Sequence, residues 1–330
     1  MYKHAVVATK AYPLHYGHIH VIDTAIRQSE DVTVLLVYGV DQTPSGDERA
    51  EALRRTYPNI NVRLVADIYT DDSTPESSLY WAQYALDIMN GVDFDVVVGS
   101  EPYIERWAHA LDVDFIAVDT RRTIVPVSGT EIRKNPMEYW SYIAPEFRTF
   151  YLKRVLLVGA ESTGKTTLAK NLSRHYGTRF VPEYGRYYVE KMFNEGDEID
   201  DMTKRIAFGN IVNEQPRLER EIEQQCHRVC FYDTDLFTTS LWYEQWQPHA
   251  IMDDLHRLIL SRQSKYDMVL LQHDDTKWID DGYREQNQKV RGQFTEDLWN
   301  YHRGAHVLHG SWDTRQKTAI QLVDELLGRP

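Results

Sequence analysis

Short runs of apolar, β-branched residues alternate along this chain with longer segments whose apolar positions recur every three to four residues. From Lys3 the sequence passes through AVVAT, a compact β-rich run, then the punctuated AYPLHYGH, then IHVIDTAIRQ with helical spacing. VTVLLVYG, VRLVADI and DVVVGSE predict further strands, and SLYWAQYALDIMN, between the last two, predicts a helix. The rhythm restarts at RVLLVGAESTGKTTLAKNLSRHYG, after which RVCFYDTD and YDMVLLQH predict buried strands that end in polar residues. Such strands, separated by helices, predict an α/β chain with doubly wound parallel sheets, whose ligands sit beyond the carboxyl ends of the strands. Beyond this βα rhythm the sequence shows no internal repeat and no low-complexity segment.

A length of 330 residues exceeds the roughly 100–200 that one core usually supports, so two domains are expected. The irregular, aromatic-rich stretch from Pro136 to Tyr151 marks the predicted boundary, giving domains at 1–150 and 151–330. Hydrophobic residues at 42% and aromatic residues at 12% supply packed interiors and exclude a disordered chain. The net charge of -13 opposes a broad nucleic-acid surface, so positive charge for anionic substrates must be local. No apolar run approaches a membrane span and the start, MYKHAVVATK, lacks the core of a signal peptide, so a cytoplasmic protein without a membrane partner is expected. Cys226 and Cys230 flank His227, but zinc needs further ligands, and reduced, semi-buried thiols are expected instead.

Residues Gly159-Ala160-Glu161-Ser162-Thr163-Gly164-Lys165-Thr166 fit the phosphate-loop pattern GxxxxGKS/T, after a β-rich run and before a helical one. Glycines let successive backbone N–H groups turn toward phosphate oxygens, and the helix N-terminus adds a favourable dipole. Lys165 is expected to reach the β and γ phosphates of ATP and Thr166 to ligate Mg²⁺ through its hydroxyl, with Thr167 counted in the same ATP-binding loop. Asp233 and Asp235 end a predicted strand, where one carboxylate can hold Mg²⁺ and another can accept a substrate proton, and either can instead cap the next helix. The residues alone do not assign the two. Arg284, Lys289 and Arg291 follow the turn-like Asp280-Asp281-Gly282, and serve either as a lid over the transferring phosphate or as a solvated helix face.

His15 and His18 form His-x-Gly-His at the first strand-to-helix turn, with Gly17 permitting close backbone approach. Two imidazoles there can hydrogen-bond the α-phosphate oxygens of ATP and stabilise charge during in-line attack, with no nucleophilic side chain required. Lys10 upstream, and Arg133 in Ser128-Gly129-Thr130-Glu131-Ile132-Arg133, offer positive charge to the triphosphate, and Ser128 and Thr130 offer hydroxyl donors. A helix cap is the plainer reading of either segment alone.

These segments together resemble the bifunctional nicotinamide-nucleotide adenylyltransferase and ribosylnicotinamide kinase family, often called NadR-like, over nearly the whole chain. KAYPLHYGH is similar to that family's KFxPxHxGH opening. VVVGSEPY and VPVSGTEIR resemble its adenylyltransferase segments, and GAESTGKTTL, PEYGRYYV, YDTDLFTT and WIDDGYR its kinase segments. The resemblance implies a Rossmann-like HxGH adenylyltransferase followed by a P-loop kinase. The kinase phosphorylates nicotinamide riboside to nicotinamide mononucleotide, which the first domain joins to AMP from ATP, giving NAD and pyrophosphate. ATP is then co-substrate of both halves, with Mg²⁺, and a homo-oligomer is compatible with the family. It further implies that Ser100 and Glu101 lie near the ATP nucleoside, Glu183 and Arg186 near the kinase substrate, and Trp278 against the nicotinamide ring. Departures are Thr9 for a glycine before Lys10, Ala11 for a phenylalanine, and Ala160 for a phosphate-loop glycine. Larger relatives carry a helix-turn-helix domain ahead of the adenylyltransferase, whereas here the first strand begins within a few residues, so no DNA partner is expected. HxGH and the phosphate loop specify phosphate chemistry rather than the acceptor. The rivals are therefore a different nucleotidyltransferase joined to a different kinase, or a nucleotide-sensing regulator. Intact His15, His18, Lys165 and Thr166 favour the enzyme.

Overall fold

The computed structural model describes residues 1–67, 74–195, 201–246, 253–262, 265–276 and 288–329. Two compact units, Met1–Tyr151 and Leu152–Pro330, divide the chain, and each contains a five-stranded parallel sheet.

In the first unit, β1 (Tyr2–Thr9), β2 (Ser29–Tyr38), β3 (Asn61–Ala66), β4 (Val96–Gly99) and β5 (Asp114–Ala117) stand in the order β3-β2-β1-β4-β5. The winding reverses between β1 and β4, so the loops leaving these two strands part and open a crevice there. Ala5, Val6, Val96 and Val97 are buried because helices cover both faces of the sheet. Val6, Leu35, Val65, Trp81, Met89, Phe94, Val97 and Trp107 pack into one cluster, and full burial stabilises such side chains by about 1.5–3 kcal/mol each. The predicted helix forms at Pro75–Met89, starting where the Thr74 hydroxyl accepts the Ser77 N–H and stopping where Asn90 turns left-handed at φ 50°. The stretch from Pro136 to Tyr151 is no linker. It forms a 3-10 turn (Trp140–Tyr142) and a short helix (Pro145–Arg148), buries Trp140, Ile143 and Phe147, and pairs Ile143 with His15. Its aromatic residues therefore brace the first strand-to-helix turn.

In the second unit, β6 (Lys153–Gly159), β7 (Phe180–Val181), β8 (Val229–Asp233), β9 (Met268–Gln272) and β10 (His306–Leu308) stand in the order β10-β9-β6-β8-β7. Central β6 is buried from Val155 to Val158. Its carboxyl end leads into the helix Lys165–Tyr176, and Gly159 pairs with Gln272 of β9. The helix Asp201–Glu223 runs through Pro216, a residue that in sequence reads as a break. Tertiary contacts hold it: Gln215 accepts the Tyr184 N–H at 2.8 Å, and fully buried Glu219 is paired with Arg262 and with Lys265. Cys226 and Cys230 are buried free thiols. Among the described residues no helix is long and apolar enough to cross a membrane.

Candidate functional site

Each unit carries a candidate site at the turn that leaves its central strand. In the first unit, the Thr9 hydroxyl accepts the Ala11 N–H at 3.0 Å, holding Ala11 at φ 40°. The side chain that replaces a glycine thus shapes the turn. His15 then caps the following helix (Tyr16–Gln28), its Nδ1 accepting the Gly17 N–H at 3.1 Å, while its own N–H points to His18 Nδ1 at 3.4 Å. This is a capping box in which imidazoles replace the usual hydroxyl and carboxylate. Capping and ligand contact are compatible here, because a neutral His15 that accepts at Nδ1 keeps its proton on Nε2. The two rings lie 3.9 Å apart. A Cβ on Gly17 would fall 2.8 Å from His15 Cε1, so the glycine makes room for the imidazole.

Burial, with Arg122 nearby, lowers the His15 pKa to about 4, and burial, His15 and Arg122 hold His18 well below the ordinary histidine value. At neutral pH both act as uncharged donors. They line a polar cleft of about 330 Å³ with Lys10, Ser100, Glu101, Arg122, Thr130 and Arg133. Lys10, His18, Ser100 and Glu101 also border a cavity of about 600 Å³ that runs to Tyr103, Arg106 and Trp107, so the crevice has a polar and an aromatic end. Arg133 lies over the Tyr12 ring, 4.5 Å from its centroid, and buried Arg49 lies 4.9 Å from the same centroid. Arg133 also donates to the Tyr12 carbonyl and, at 3.0 Å, to the Thr130 hydroxyl. The Ser128 hydroxyl is not a free donor: it gives its proton to Glu131 at 2.7 Å and accepts the Glu131 N–H at 3.2 Å, capping the helix Gly129–Lys134.

Arg122 was not singled out from the sequence. It sits on a loop folded around Asp119, whose carboxylate accepts the N–H groups of Thr123, Ile124 and Val125, and it pairs with Glu101 at 3.2 Å. The adjacent arginines of TRRTIVPVSGTEIR are the only signal for it in sequence.

In the second unit the phosphate loop keeps the required backbone. Gly159 has φ 152° and a Cβ there would fall 2.7 Å from the Gln272 carbonyl; Ser162 has φ 59° and Gly164 φ 90°. Buried Thr163 donates to the Ala160 carbonyl at 2.7 Å, and Lys165 Nζ donates to the carbonyls of Gly159 and Ala160 at 2.9 and 3.0 Å. The lysine thereby lies across its own loop. Thr166 donates to Asp233 Oδ2 at 2.6 Å, whereas Asp233 Oδ1 is buried and accepts no hydrogen bond from the described residues. Burial, then the nearby Glu183 charge, raises the Asp233 pKa against the pull of Lys165, Thr166 and Arg186. Glu183 and Arg186 thus share this corner with Asp233. Thr167 is exposed on the first helical turn, and Glu161 is half-buried.

Asp235 differs from Asp233. Its Oδ1 accepts both the N–H and the hydroxyl of Thr238 at 2.9 and 2.8 Å, capping the next helix, and its Oδ2 lies 3.1 Å from His302 Nε2. Expected as a possible catalytic group, it is engaged structurally. Arg291 donates to the carbonyl and hydroxyl of Thr276 at 3.0 Å each, and that hydroxyl approaches the Ser162 carbonyl at 3.4 Å, so Arg291 borders the phosphate loop. Trp278, Arg284 and the turn at Asp280-Asp281-Gly282 lie outside the described residues.

Residues 154–315 match the family described as an AAA domain. Over 98% of its length the chain is 28% identical to the trifunctional NAD biosynthesis/regulator protein NadR of Salmonella typhimurium, and 27% identical to that of Escherichia coli, covering 83% of each relative. It shares its fold with a solved NadR protein in complex with NAD and AMP-PNP, at a TM-score of 0.74 and 21% identity, over 100% of this chain and 97% of that one. A NadR structure in complex with NR is similar at a TM-score of 0.75 and 22% identity, with the same coverage. The sequence likeness and the shared fold both run through the two units, with HxGH heading one sheet and the phosphate loop the other, so the chain is similar to NadR proteins over nearly its whole length.

Proposed function

We propose that the chain is a bifunctional enzyme of NAD salvage, phosphorylating nicotinamide riboside in its second unit and adenylating nicotinamide mononucleotide in its first, with ATP as co-substrate of both. The observation that carries this reading is that both central strands end in turns with phosphate-handling side chains, His15 and His18 after β1 and Lys165 and Thr166 after β6. Similarity to NadR proteins over nearly the whole chain supports the choice of acceptors.

In the second unit, the loop N–H groups and Lys165 hold the phosphates of ATP. Mg²⁺ prefers oxygen donors, and the Thr166 hydroxyl beside the unpartnered buried Oδ1 of Asp233 fits it. When bound it neutralises charge across the β and γ phosphates. Asp235 is spent as a helix cap, so we assign the proton acceptor to Glu183, the carboxylate whose charge acts on Asp233. The riboside hydroxyl oxygen bonds to the γ-phosphorus, the bond to ADP breaks, and the hydroxyl proton passes to Glu183. Arg186 and Arg291 add positive charge at this loop.

In the first unit, a phosphate oxygen of the mononucleotide attacks the α-phosphorus of ATP and pyrophosphate leaves. His15 and His18, held neutral, donate hydrogen bonds where negative charge builds up, and Lys10, Arg122 and Arg133 balance the triphosphate. No side chain is alkylated or phosphorylated. Incubation of the full chain with ATP, Mg²⁺ and nicotinamide riboside, with products resolved by mass spectrometry, is expected to yield nicotinamide mononucleotide, NAD and pyrophosphate. Recovery of unchanged riboside, together with failure to convert supplied mononucleotide, rejects the proposal.

A further inference from the structure

Beside the phosphate loop, two neighbouring strands of the second sheet end in imidazoles. β9 stops at Gln272, whose backbone pairs with Gly159, and leads into His273 and Asp275, while parallel β10 stops at Leu308 and leads into His309. The His273 N–H donates to the Leu308 carbonyl at 3.1 Å, which keeps the two strand ends in register. The two rings therefore meet, with centroids 4.4 Å apart, and one ligating atom from each of His273, Asp275 and His309 lies within 4.8 Å of the others.

Fully buried Arg315, on the helix Trp312–Leu326, fixes the backbone under this cluster. It donates to the Gln272 side chain at 2.8 Å and to the carbonyls of His273 and Gly310 at 3.0 Å each. Asp275 is held by Arg315 and by the Gly310 N–H at 2.9 Å. Against burial, which acts in the other direction, the Gly310 N–H and the Arg315 charge keep the Asp275 pKa below its ordinary value, so the carboxylate is ionised. His273 Nδ1 is buried, makes no hydrogen bond with the described residues, and faces carboxylate oxygens of Asp274 and Asp275 at 3.4 and 3.7 Å. Two imidazoles converging on a carboxylate that other groups orient form a donor set suited to a transition metal.

We propose that His273, Asp275 and His309 form a site for a borderline divalent cation, best matched by Zn²⁺ and separate from the Mg²⁺ position proposed at Thr166 and Asp233. Imidazole nitrogens select against Mg²⁺ and Ca²⁺, which take oxygen donors. Zinc bonds of about 2.0–2.2 Å put tetrahedral ligands about 3.4 Å apart, so a small rotation of exposed His309 closes the set. Water completes the tetrahedron, and the Asp274 carboxylate offsets the charge of Arg315. The ion ties β10 to β9 where His309 leads into Trp312, whose ring covers Gly164 of the phosphate loop.

The test strips the full chain with a chelator, keeps it in excess Mg²⁺, and titrates Zn²⁺ in competition with a chromophoric chelator. One equivalent is expected to bind. His309→Ala, at an exposed position, is expected to weaken binding at least about tenfold, and Cys226→Ala to leave it unchanged. Zinc should raise the melting temperature of the wild-type chain and not that of His309→Ala. No bound zinc, or equal affinity in His309→Ala, overturns the proposal, and loss of zinc in Cys226→Ala places the metal on the thiols and overturns it as well. Co²⁺ in place of zinc tests the wild-type chain without a variant. The visible bands of four-coordinate Co²⁺, displaced by Zn²⁺, are expected, and the spectrum of the aqueous ion alone would overturn the site.

Discussion

The two strand-to-helix turns at the heads of the sheets face one physical problem and solve it differently. After β1 the helix start is closed by side chains: His15 and His18 accept the N–H groups of Gly17 and His15 through Nδ1 and carry neutral rings in close, tilted contact. After β6 the start is shaped by backbone, with Ser162 and Gly164 left-handed and Lys165 folded across the loop. The first turn therefore presents imidazole donors, suited to charge building up at an α-phosphate. The second presents backbone and an ammonium, suited to cradling a polyphosphate. A shared topology fixes where an anion can bind, and in the proposed function the residues of the turn fix which phosphorus is addressed.

The sharpest way to break this comparison is to silence one turn at a time. Lys165→Ala is expected to lower riboside phosphorylation by about 10²- to 10³-fold while leaving NAD formation from supplied mononucleotide intact, and His18→Ala to do the reverse. Separate assays of each half-reaction measure this, and loss of both reactions from either substitution in a folded protein contradicts two independent sites. Glu183→Gln is expected to lower the kinase kcat by about 10²-fold with a small change in the KM for riboside, as removal of a proton acceptor does. A pure KM effect would instead make Glu183 a binding group.

The backbone character of the second turn is tested by Gly164→Ala. Its φ of 90° disfavours any side chain, and a Cβ would clash with the Trp312 ring. Destabilisation of about 1–3 kcal/mol is expected in denaturant melts. Trp312→Ala in the same chain should recover the steric part and leave the φ penalty. Wild-type stability with Gly164→Ala would contradict the loop geometry.

The side-chain character of the first turn predicts a pH signature. The folded-state pKa of His15, about 4, lies below the 6.5 of an unfolded histidine, so the unfolded chain binds the extra proton between these values. This contribution to stability is complete above about 6.5 and is lost as pH falls toward about 4. Imidazole NMR titration should show no His15 inflection near 6.5, and an ordinary midpoint there would remove the burial on which the neutral-donor role depends. Smallest of all, Thr9→Gly removes the hydroxyl that accepts the Ala11 N–H and is expected to cost about 0.5–1.5 kcal/mol in thermal melts. An unchanged melt would show that the turn holds without it.

By itself the sequence determined the α/β class, the two parallel sheets, and the two strand-to-helix turns proposed here to bind phosphates. These follow from local signals: continuous β-branched runs, a glycine-rich loop before a helix, and two histidines in a helix-capping position. It also marked Asp233, Arg133 and Lys10. Other features depend on residues distant in the chain, and no local pattern encodes them. The division of labour between Asp233 and Asp235 was decided by Thr166 and Thr238, since two adjacent strand-end carboxylates look alike until their neighbours are known. Short edge strands such as β7 and β10 carry too few residues to show a period, and the helix through Pro216 is held by buried Glu219 and its cationic partners. The Pro136–Tyr151 stretch read as a boundary because its aromatic residues follow no period, yet it packs against the His15 turn. The aromatic end of the first unit's crevice likewise exists only because the sheet brings the end of β3, the helix Pro75–Met89 and the helix Tyr103–Leu111 together.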